Sequence, residues 1–227
     1  MEIFSPESSI SPLLQCVLEG DVQSLQLLFD DKTKEDQDPL NHLLLEKDQL
    51  GRSPLFSACI LGRNEIVKEL VKYGASTNDE TARGYFPIHC AAAWGQLDVL
   101  KTLVELGANI LALNFRGEKA CEIAARYNKT ECAQFLTWAE SKLELKMYVS
   151  HVQRSITEPE KMQVRLSKEE KNKVINACKA KNEWLEQAKN ATVQDFVEQR
   201  HQLETIVQPI FTKMNTPRAE TGRSSKH

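Results

Sequence analysis

The sequence predicts an all-α protein in which a solenoid of about four short repeats precedes a small helical bundle. Glycine recurs with a period of 33 residues, since Gly51, Gly84 and Gly117 form one series and Gly62 and Gly95 another. A fixed period of this length indicates a repeat array. No glycine occurs between residues 118 and 221. A stretch of this length without glycine has few tight turns, which favours long helices.

The glycine period divides the first part of the chain into repeats. Three units span residues 48–80, 81–113 and 114–138, and a fourth at residues 11–47 repeats the spacing from Pro54 to Gly62 as Pro12 to Gly20. Pro12 and Pro54 lie 42 residues apart, nine more than one period. We place this insertion in the acidic stretch at residues 30–39, followed by a short helix at residues 40–45. The repeat domain is thus predicted to end near residue 138.

These units resemble ankyrin repeats, which consist of a Thr-Pro-Leu-His turn and two antiparallel helices. Phe86-Pro87-Ile88-His89 nearly reproduces the turn, whereas the last unit reads Lys119-Ala120-Cys121-Glu122, as a degenerate terminal repeat does. The resemblance implies that His89 hydrogen-bonds the turn. It also implies that the array docks a protein partner and catalyses nothing.

Apolar spacing predicts helices in the second part. Val193, Phe196, Leu203, Val207 and Ile210 follow a helical period that Arg200 interrupts. Caps are predicted at Thr192 with Asp195 and at Ser167 with Glu170, and Pro209 is expected to end or kink the last helix. No proline or glycine lies between residues 118 and 158, so one helix is expected from about residue 130 to about residue 156, with a short break near Ser141 as the alternative. Residues 216–227 are expected to form a disordered tail.

Residues 139–215 resemble the C-terminal helical lid of the seventy-kilodalton heat-shock chaperones. The pattern comprises Ser167, Cys178, Trp184-Leu185, Phe196, Leu203-Glu204, Val207 and Pro209-Ile210. The resemblance implies a helical bundle in which Trp184 and Phe196 are buried. The nucleotide-binding and peptide-binding domains of those chaperones have no counterpart here, so no ATP site is expected.

Composition and motifs exclude several classes of function. The chain has a net charge of −3, which disfavours a nucleic-acid partner, and no apolar run of the roughly 18 residues that span a membrane. The N-terminus lacks a secretory signal, so the six cysteines are expected to be reduced. The sequence has no Gly-rich phosphate loop, nucleophile elbow or zinc motif. We therefore expect no catalytic, cofactor-binding or metal-binding residue and no small-molecule substrate.

The candidate partner-binding residues are large side chains that repeat along the array. Leu61, Trp94 and Tyr127 each precede the turn in mid-repeat, and they are 33 residues apart. Exposed apolar groups in this pattern indicate a contact surface. The alternative is that they pack on neighbouring helices or on the acidic insertion. The hairpin tips add four candidates: Tyr85, Phe115, Arg83 and Arg116.

The sequence thus predicts a non-enzymatic scaffold or adaptor. The array docks a protein, and the bundle acts as a second contact or a rigid spacer. The alternative is a chaperone-associated regulator that acts through the lid-like bundle. The two resemblances together imply a cytoplasmic protein attached to cytoskeletal structures, such as the cilium or the cell-division apparatus, with cytoskeletal or chaperone-related partners.

Overall fold

A computed structural model describes residues 10–30, 38–157 and 166–215, and every regular element in these ranges is an α-helix. The predicted all-α class is therefore confirmed. The expected tail at residues 216–227 and most of the acidic insertion lie outside the described residues. The chain divides into two compact units, Met1–Ala139 and Glu140–His227. The helices are α1 (Pro12–Glu19), α2 (Val22–Asp30), α3 (Asp38–Leu45), α4 (Pro54–Leu61), α5 (Asn64–Lys72), α6 (Pro87–Trp94), α7 (Leu97–Glu105), α8 (Ala120–Arg126), α9 (Thr130–Thr157), α10 (Lys168–Gln187) and α11 (Val193–Asn215).

The first unit stacks its helices in two layers. The inner layer runs α1, α4, α6 and α8, and the outer layer runs α2, α5 and α7. Helix α3 packs on α4. The inner helices α1, α4 and α6 each begin with proline, whose fixed φ suits the first turn. They end at glycines in the left-handed region, with φ of 77° at Gly20, 71° at Gly62 and 76° at Gly95.

The core of this unit lies between the two layers. The outer helices α5 and α7 bury the same face, through Ile66, Val67 and Leu70 and through Val99, Leu100 and Leu103. The inner helices contribute small side chains, such as the fully buried Ala91 and Ala92. Small residues let neighbouring inner helices approach closely, while the branched residues of the outer layer fill the space behind them.

Two features favour glycine at the mid-repeat positions. The backbone has a positive φ there, and a side chain of the next repeat occupies the space that a Cβ would take. Gln96 of the third repeat donates a hydrogen bond from Nε2 to the carbonyl of Ile60, at 2.9 Å. This places Gln96 so close to Gly62 that a Cβ there would lie 2.4 Å from Gln96 Oε1. Arg63 lies over Gly20 in the same way and donates to the carbonyl of Leu18 at 2.9 Å. Each contact satisfies a helix-end carbonyl of the preceding repeat.

We expect Gly62→Ala to destabilise the array by about 2–3 kcal/mol, because it adds the cost of a left-handed alanine and displaces Gln96 from the Ile60 carbonyl. Gly107→Ala is the matched control, since Gly107 also has a positive φ of 83° but a Cβ added there would meet no atom within 4 Å. The control should lose only about 1 kcal/mol. Urea unfolding of both variants measures the difference. Equal losses would show that the Gln96 contact contributes no stability.

The second unit contains the later part of α9 together with α10 and α11. Helix α9 runs without a break from Thr130 to Thr157, as the absence of proline and glycine predicts. Ser167 and Glu170 form the predicted capping box at the start of α10, and Thr192 and Asp195 exchange the predicted bonds at the start of α11. The core comprises Leu145, Val149, Val152, Ile156, Val174, Cys178, Phe196, Leu203, Val207 and Ile210, all buried.

One expectation about this unit is wrong in detail, and another is wrong in one of its two alternatives. Pro209 is expected to end or kink the last helix, and it does not end it, because α11 continues to Asn215. Pro209 is exposed, as is Thr205 one turn earlier, so water can hydrogen-bond the carbonyl that proline leaves without a donor. Trp184 is half-buried and not buried, and it meets the buried Phe196 edge to face at 5.5 Å between ring centroids.

Arg200, which interrupts the apolar stripe of α11, joins that helix to α9. Its guanidinium pairs with Glu144 at 3.2 Å and with Glu204 at 3.0 Å, and it lies 5.4 Å from the ring centroid of Tyr148. All of these groups are partly exposed, so the pairs contribute modestly to stability and mainly fix which faces of the two helices meet.

Candidate functional site

Three loops between consecutive repeats share one hydrogen-bonding pattern, and we call them the fingers: residues 48–52, 81–85 and 114–118. In each, the first residue donates its backbone N–H to the carbonyl of the fifth, at 3.0, 3.0 and 3.1 Å. The turn places a glycine at positive φ, with 76°, 68° and 73° at Gly51, Gly84 and Gly117. Neighbouring fingers are joined where Phe115 N–H donates to the Arg83 carbonyl at 3.2 Å.

The last two fingers carry the four predicted tip residues. Tyr85 is half-buried between His89 and Phe115, with ring centroids 6.1 and 5.9 Å away. Phe115 is 58% exposed, and the Arg116 guanidinium lies 5.3 Å from its ring centroid. Arg83 is exposed as well. The structure therefore brings Tyr85, Phe115 and Arg116 together as one cluster of side chains, to which Arg83 is joined through its backbone carbonyl.

Leu61, Trp94 and Tyr127 form a second set, which we call the stripe. Leu61 and Trp94 are the last residues of α4 and α6, and Tyr127 follows the last residue of α8. Their exposed fractions are 43%, 61% and 51%. Such exposure contradicts the alternative that they are packed on neighbouring helices. The alternative that the insertion covers them concerns residues 31–37, which lie outside the described residues.

Arg126 connects the last finger to the stripe. Its guanidinium lies 4.6 Å from the Tyr127 ring centroid, and its Nε pairs with Glu118 Oε1 at 3.0 Å. Hydrogen bonding from Asn114 and the nearby charge of Arg126 lower the pKa of the Glu118 carboxyl. The finger and the end of α8 thus lie on one face of the last repeat, and we call this face, with the stripe and the last two fingers, the docking face.

Sequence reasoning missed Arg126, and it also missed the residue that follows each mid-repeat turn. Arg63, Gln96 and Lys129 are spaced by 33 residues and lie over Gly20, Gly62 and Gly95. The period that identified the stripe would have identified this set too. The contact of Arg126 with Glu118 joins residues eight apart across a helix start, so no periodic signal marks it.

His89 has the structural role that the family resemblance implies. It is 1% exposed, and its Nδ1 accepts a hydrogen bond from Phe86 N–H at 3.2 Å. Because Nδ1 is an acceptor, the proton is on Nε2, which donates to the Ala112 carbonyl at 3.0 Å. The neutral ring therefore ties the start of α6 to the loop that precedes the next finger.

Burial lowers the pKa of His89, against smaller opposing contributions from the Ala112 carbonyl and the Glu118 charge. The native state therefore keeps His89 neutral, while the unfolded chain binds a proton below its ordinary pKa of 6.5. We expect this residue to remove up to about 1.4 kcal/mol of stability per pH unit as the pH falls below that value. In urea unfolding between pH 7.5 and 5.5, the curve for His89→Gln should flatten relative to wild type. Parallel curves would contradict a neutral native His89.

Two thiols of the first unit, Cys59 and Cys90, are largely enclosed by protein. Burial raises the pKa of the Cys90 thiol to about 11 and also raises that of Cys59, so both remain protonated at neutral pH. Among the residues that the structure describes, no group of three or more His, Cys, Asp or Glu side chains could hold a metal ion. Nor does any described helix combine the length and the apolarity that crossing a membrane requires.

Comparison with known proteins agrees with this architecture. A family model for ankyrin repeats matches three copies over residues 13–114. Ankyrin repeat domain-containing protein 45 from Homo sapiens is 53% identical over 207 residues, which cover 91% of this chain and 78% of that protein. The proteins of the same name from Mus musculus and Danio rerio are 50% and 44% identical, over 92% and 95% of this chain and 84% and 96% of their own lengths.

The helix pairs, the fingers and the buried His89 all follow the pattern of the matched repeats. With relatives of this identity over more than nine-tenths of its length, the chain belongs to the ankyrin-repeat family, together with the proteins named ankyrin repeat domain-containing protein 45.

Proposed function

We propose that the chain is a non-enzymatic scaffold or adaptor whose docking face binds a protein partner. Ankyrin repeats serve protein–protein interaction, and the proposal assigns that role to the stripe and the last two fingers. The observation that carries it is the exposure of Leu61, Trp94 and Tyr127 at equivalent positions of three consecutive repeats. Large exposed side chains on a rigid scaffold are the groups from which binding hot spots are built.

The face is already organised in the free protein. The Arg116 guanidinium lies against Phe115 and that of Arg126 against Tyr127. The fingers are fixed by backbone hydrogen bonds within and between them. A face in which rings and charges are held in place loses little conformational entropy on binding, which favours affinity.

Site-specific photo-crosslinking in the full chain tests this proposal. A photoreactive phenylalanine analogue at position 94 or 127 should crosslink a discrete protein in cells. The same analogue at Lys101, which is exposed on the outer helix α7, should not. Equal crosslinking from all three positions, or from position 101 alone, would contradict a docking face on the inner helices.

The alternative role is regulation of the chaperone machinery through the bundle. It is supported by the lid-like pattern of α10 and α11 and by the exposed apolar residues Met147, Ile175 and Val197 in that unit. A crosslinker at position 197 that captured a heat-shock chaperone or its client, with none captured from position 94, would favour this alternative.

In the main proposal the bundle provides a second contact or acts as a rigid spacer. Support for a spacer comes from α9, which is continuous from the last repeat into the second unit. We also propose a cytoplasmic protein attached to cytoskeletal structures of the cilium or the division apparatus. Imaging of the tagged full chain tests this placement, and a uniform distribution without enrichment at these structures would contradict it.

A further inference from the structure

The charge of the docking face is opposite to that of the domain that carries it. Residues 1–138 contain 13 Lys and Arg against 20 Asp and Glu, a net charge of −7. On the docking face the balance is reversed. Its carboxylate at Glu118 is neutralised by Arg126, while Arg83 and Arg116 have no carboxylate within 4 Å among the described residues. Lysines of the outer helices, in contrast, pair with acids of their own helix, as Lys72 does with Glu69 and Lys101 with Asp98.

The two arginines without acidic partners stand next to each other. They occupy the same position in consecutive fingers, 33 residues apart. The Phe115 N–H that donates to the Arg83 carbonyl at 3.2 Å ties their backbones together. The Arg116 guanidinium is also held against the Phe115 ring. The Arg116 guanidinium is therefore positioned in the free protein, and Arg83 is held beside it through its backbone. Neither guanidinium forms an ion pair with a carboxylate of the described residues.

We propose that the docking face binds an acidic segment of a partner protein, with carboxylates on Arg83 and Arg116 and apolar side chains on Trp94 and Tyr127. This inference rests on the proposed function and adds the chemical class of the partner. A guanidinium forms paired, charge-assisted hydrogen bonds with a carboxylate, and its contact with an aromatic ring orients it for them. The stripe supplies the apolar contact area that charge pairs alone lack.

The surroundings favour an acidic peptide over a nucleic acid or an anionic membrane. A long polyanion would extend past the two arginines over the rest of a domain whose net charge is −7. The acidic surface there would repel it. A short acidic segment places its carboxylates only where the cations are. The exposed rings of Trp94 and Tyr127 also need apolar partners, which a protein segment provides beside its acidic residues.

Selection of random twelve-residue peptides on the immobilised full chain tests the inference. Selected peptides should combine Asp or Glu with aromatic or aliphatic residues. A synthetic peptide of this kind should bind the double variant Arg83→Glu/Arg116→Glu about 100-fold more weakly than wild type in 50 mM salt. Lys72→Glu/Lys101→Glu is the matched control, because it makes the same charge change on the outer helices. It should change the affinity less than about 3-fold. Circular dichroism confirms that both variants are folded.

The companion peptide in which Asn and Gln replace Asp and Glu separates charge pairing from a general field effect. It should lose affinity for wild type but not for Arg83→Glu/Arg116→Glu. Peptides that need Trp94 but are neutral or basic would overturn the acidic partner and leave the docking face intact. Peptides indifferent to both Trp94 and Tyr127 would overturn the face and the inference together. Tighter, arginine-dependent binding of a 20-nucleotide single strand or of phosphatidylserine vesicles would assign the arginines to those anions instead.

Discussion

Phe196→Ala is expected to lower the free energy of unfolding of the helical bundle by about 3–5 kcal/mol. Phe196 is 1% exposed and meets Trp184 edge to face. Its removal forfeits the burial of a whole ring and leaves a cavity that the surrounding helices can only partly close. Small domains have a total stability of the same order, so the bundle should be largely unfolded at 37 °C.

Val197→Ala is the control for this variant. Val197 is the next residue of the same helix and is 50% exposed, so its truncation should cost less than about 0.5 kcal/mol. Circular dichroism at 222 nm during heating measures the helix content. At 37 °C the signal of Phe196→Ala should be reduced, while wild type and Val197→Ala should keep theirs. Equal melting temperatures for Phe196→Ala and wild type would mean that Phe196 does not stabilise the packing of the bundle.

The repeat architecture could be predicted because its signals are backbone requirements. Gly62 and Gly95 have positive φ, and each lies under a side chain of the next repeat. Few other residues are tolerated at such positions, so glycine recurs there and the period can be recognised in the sequence. The last repeat departs from the pattern, with Asn128 where the others have glycine. Asn128 nevertheless takes a φ of 56°, which asparagine adopts more readily than most residues. The residue type differs in the last repeat, but the backbone conformation is the same.

Two residues of the second unit differ from expectation because a sequence pattern does not show how exposed a residue is. Pro209 does not end α11; it stands on the solvent side of this helix, in which the nearby Val207 and Ile210 are buried. Burial of those flanking residues stabilises the helical path on both sides of the proline. Trp184 lies at the edge of the bundle, where a large ring buries one face and exposes another. A sequence pattern identifies such a residue as apolar but does not give its depth.

Most residues of the candidate site could be predicted from the sequence, but the contacts between them could not. The stripe was predicted from spacing because each member occupies the end of an inner helix, a position that the repeat itself keeps exposed. The side-chain contacts that join the stripe and the fingers into one face were not predicted. Arg126 contacts both Glu118 and Tyr127, and Tyr85 bridges two fingers. Such contacts depend on the folding of one loop against a neighbouring helix, which no period in the sequence encodes.

The double variant Trp94→Ala/Tyr127→Ala is expected to weaken binding of a peptide selected on the full chain by about 100- to 1,000-fold, or roughly 3–4 kcal/mol. Both rings are more than half exposed in the free protein, at 61% and 51%. A partner that covers them removes their apolar surface from water, and truncation forfeits that gain. Fluorescence polarisation with a labelled peptide measures the change.

Stability distinguishes a binding role from a packing role for these two rings. Truncation of an exposed ring leaves no cavity, so the melting temperature of the double variant should stay within about 3 °C of wild type. Leu27→Ala is the control for a generic loss of exposed apolar surface, because Leu27 is 66% exposed on the outer helix α2. It should leave peptide affinity unchanged. A large fall in melting temperature with unchanged affinity would show instead that Trp94 and Tyr127 stabilise the array and do not contact the partner.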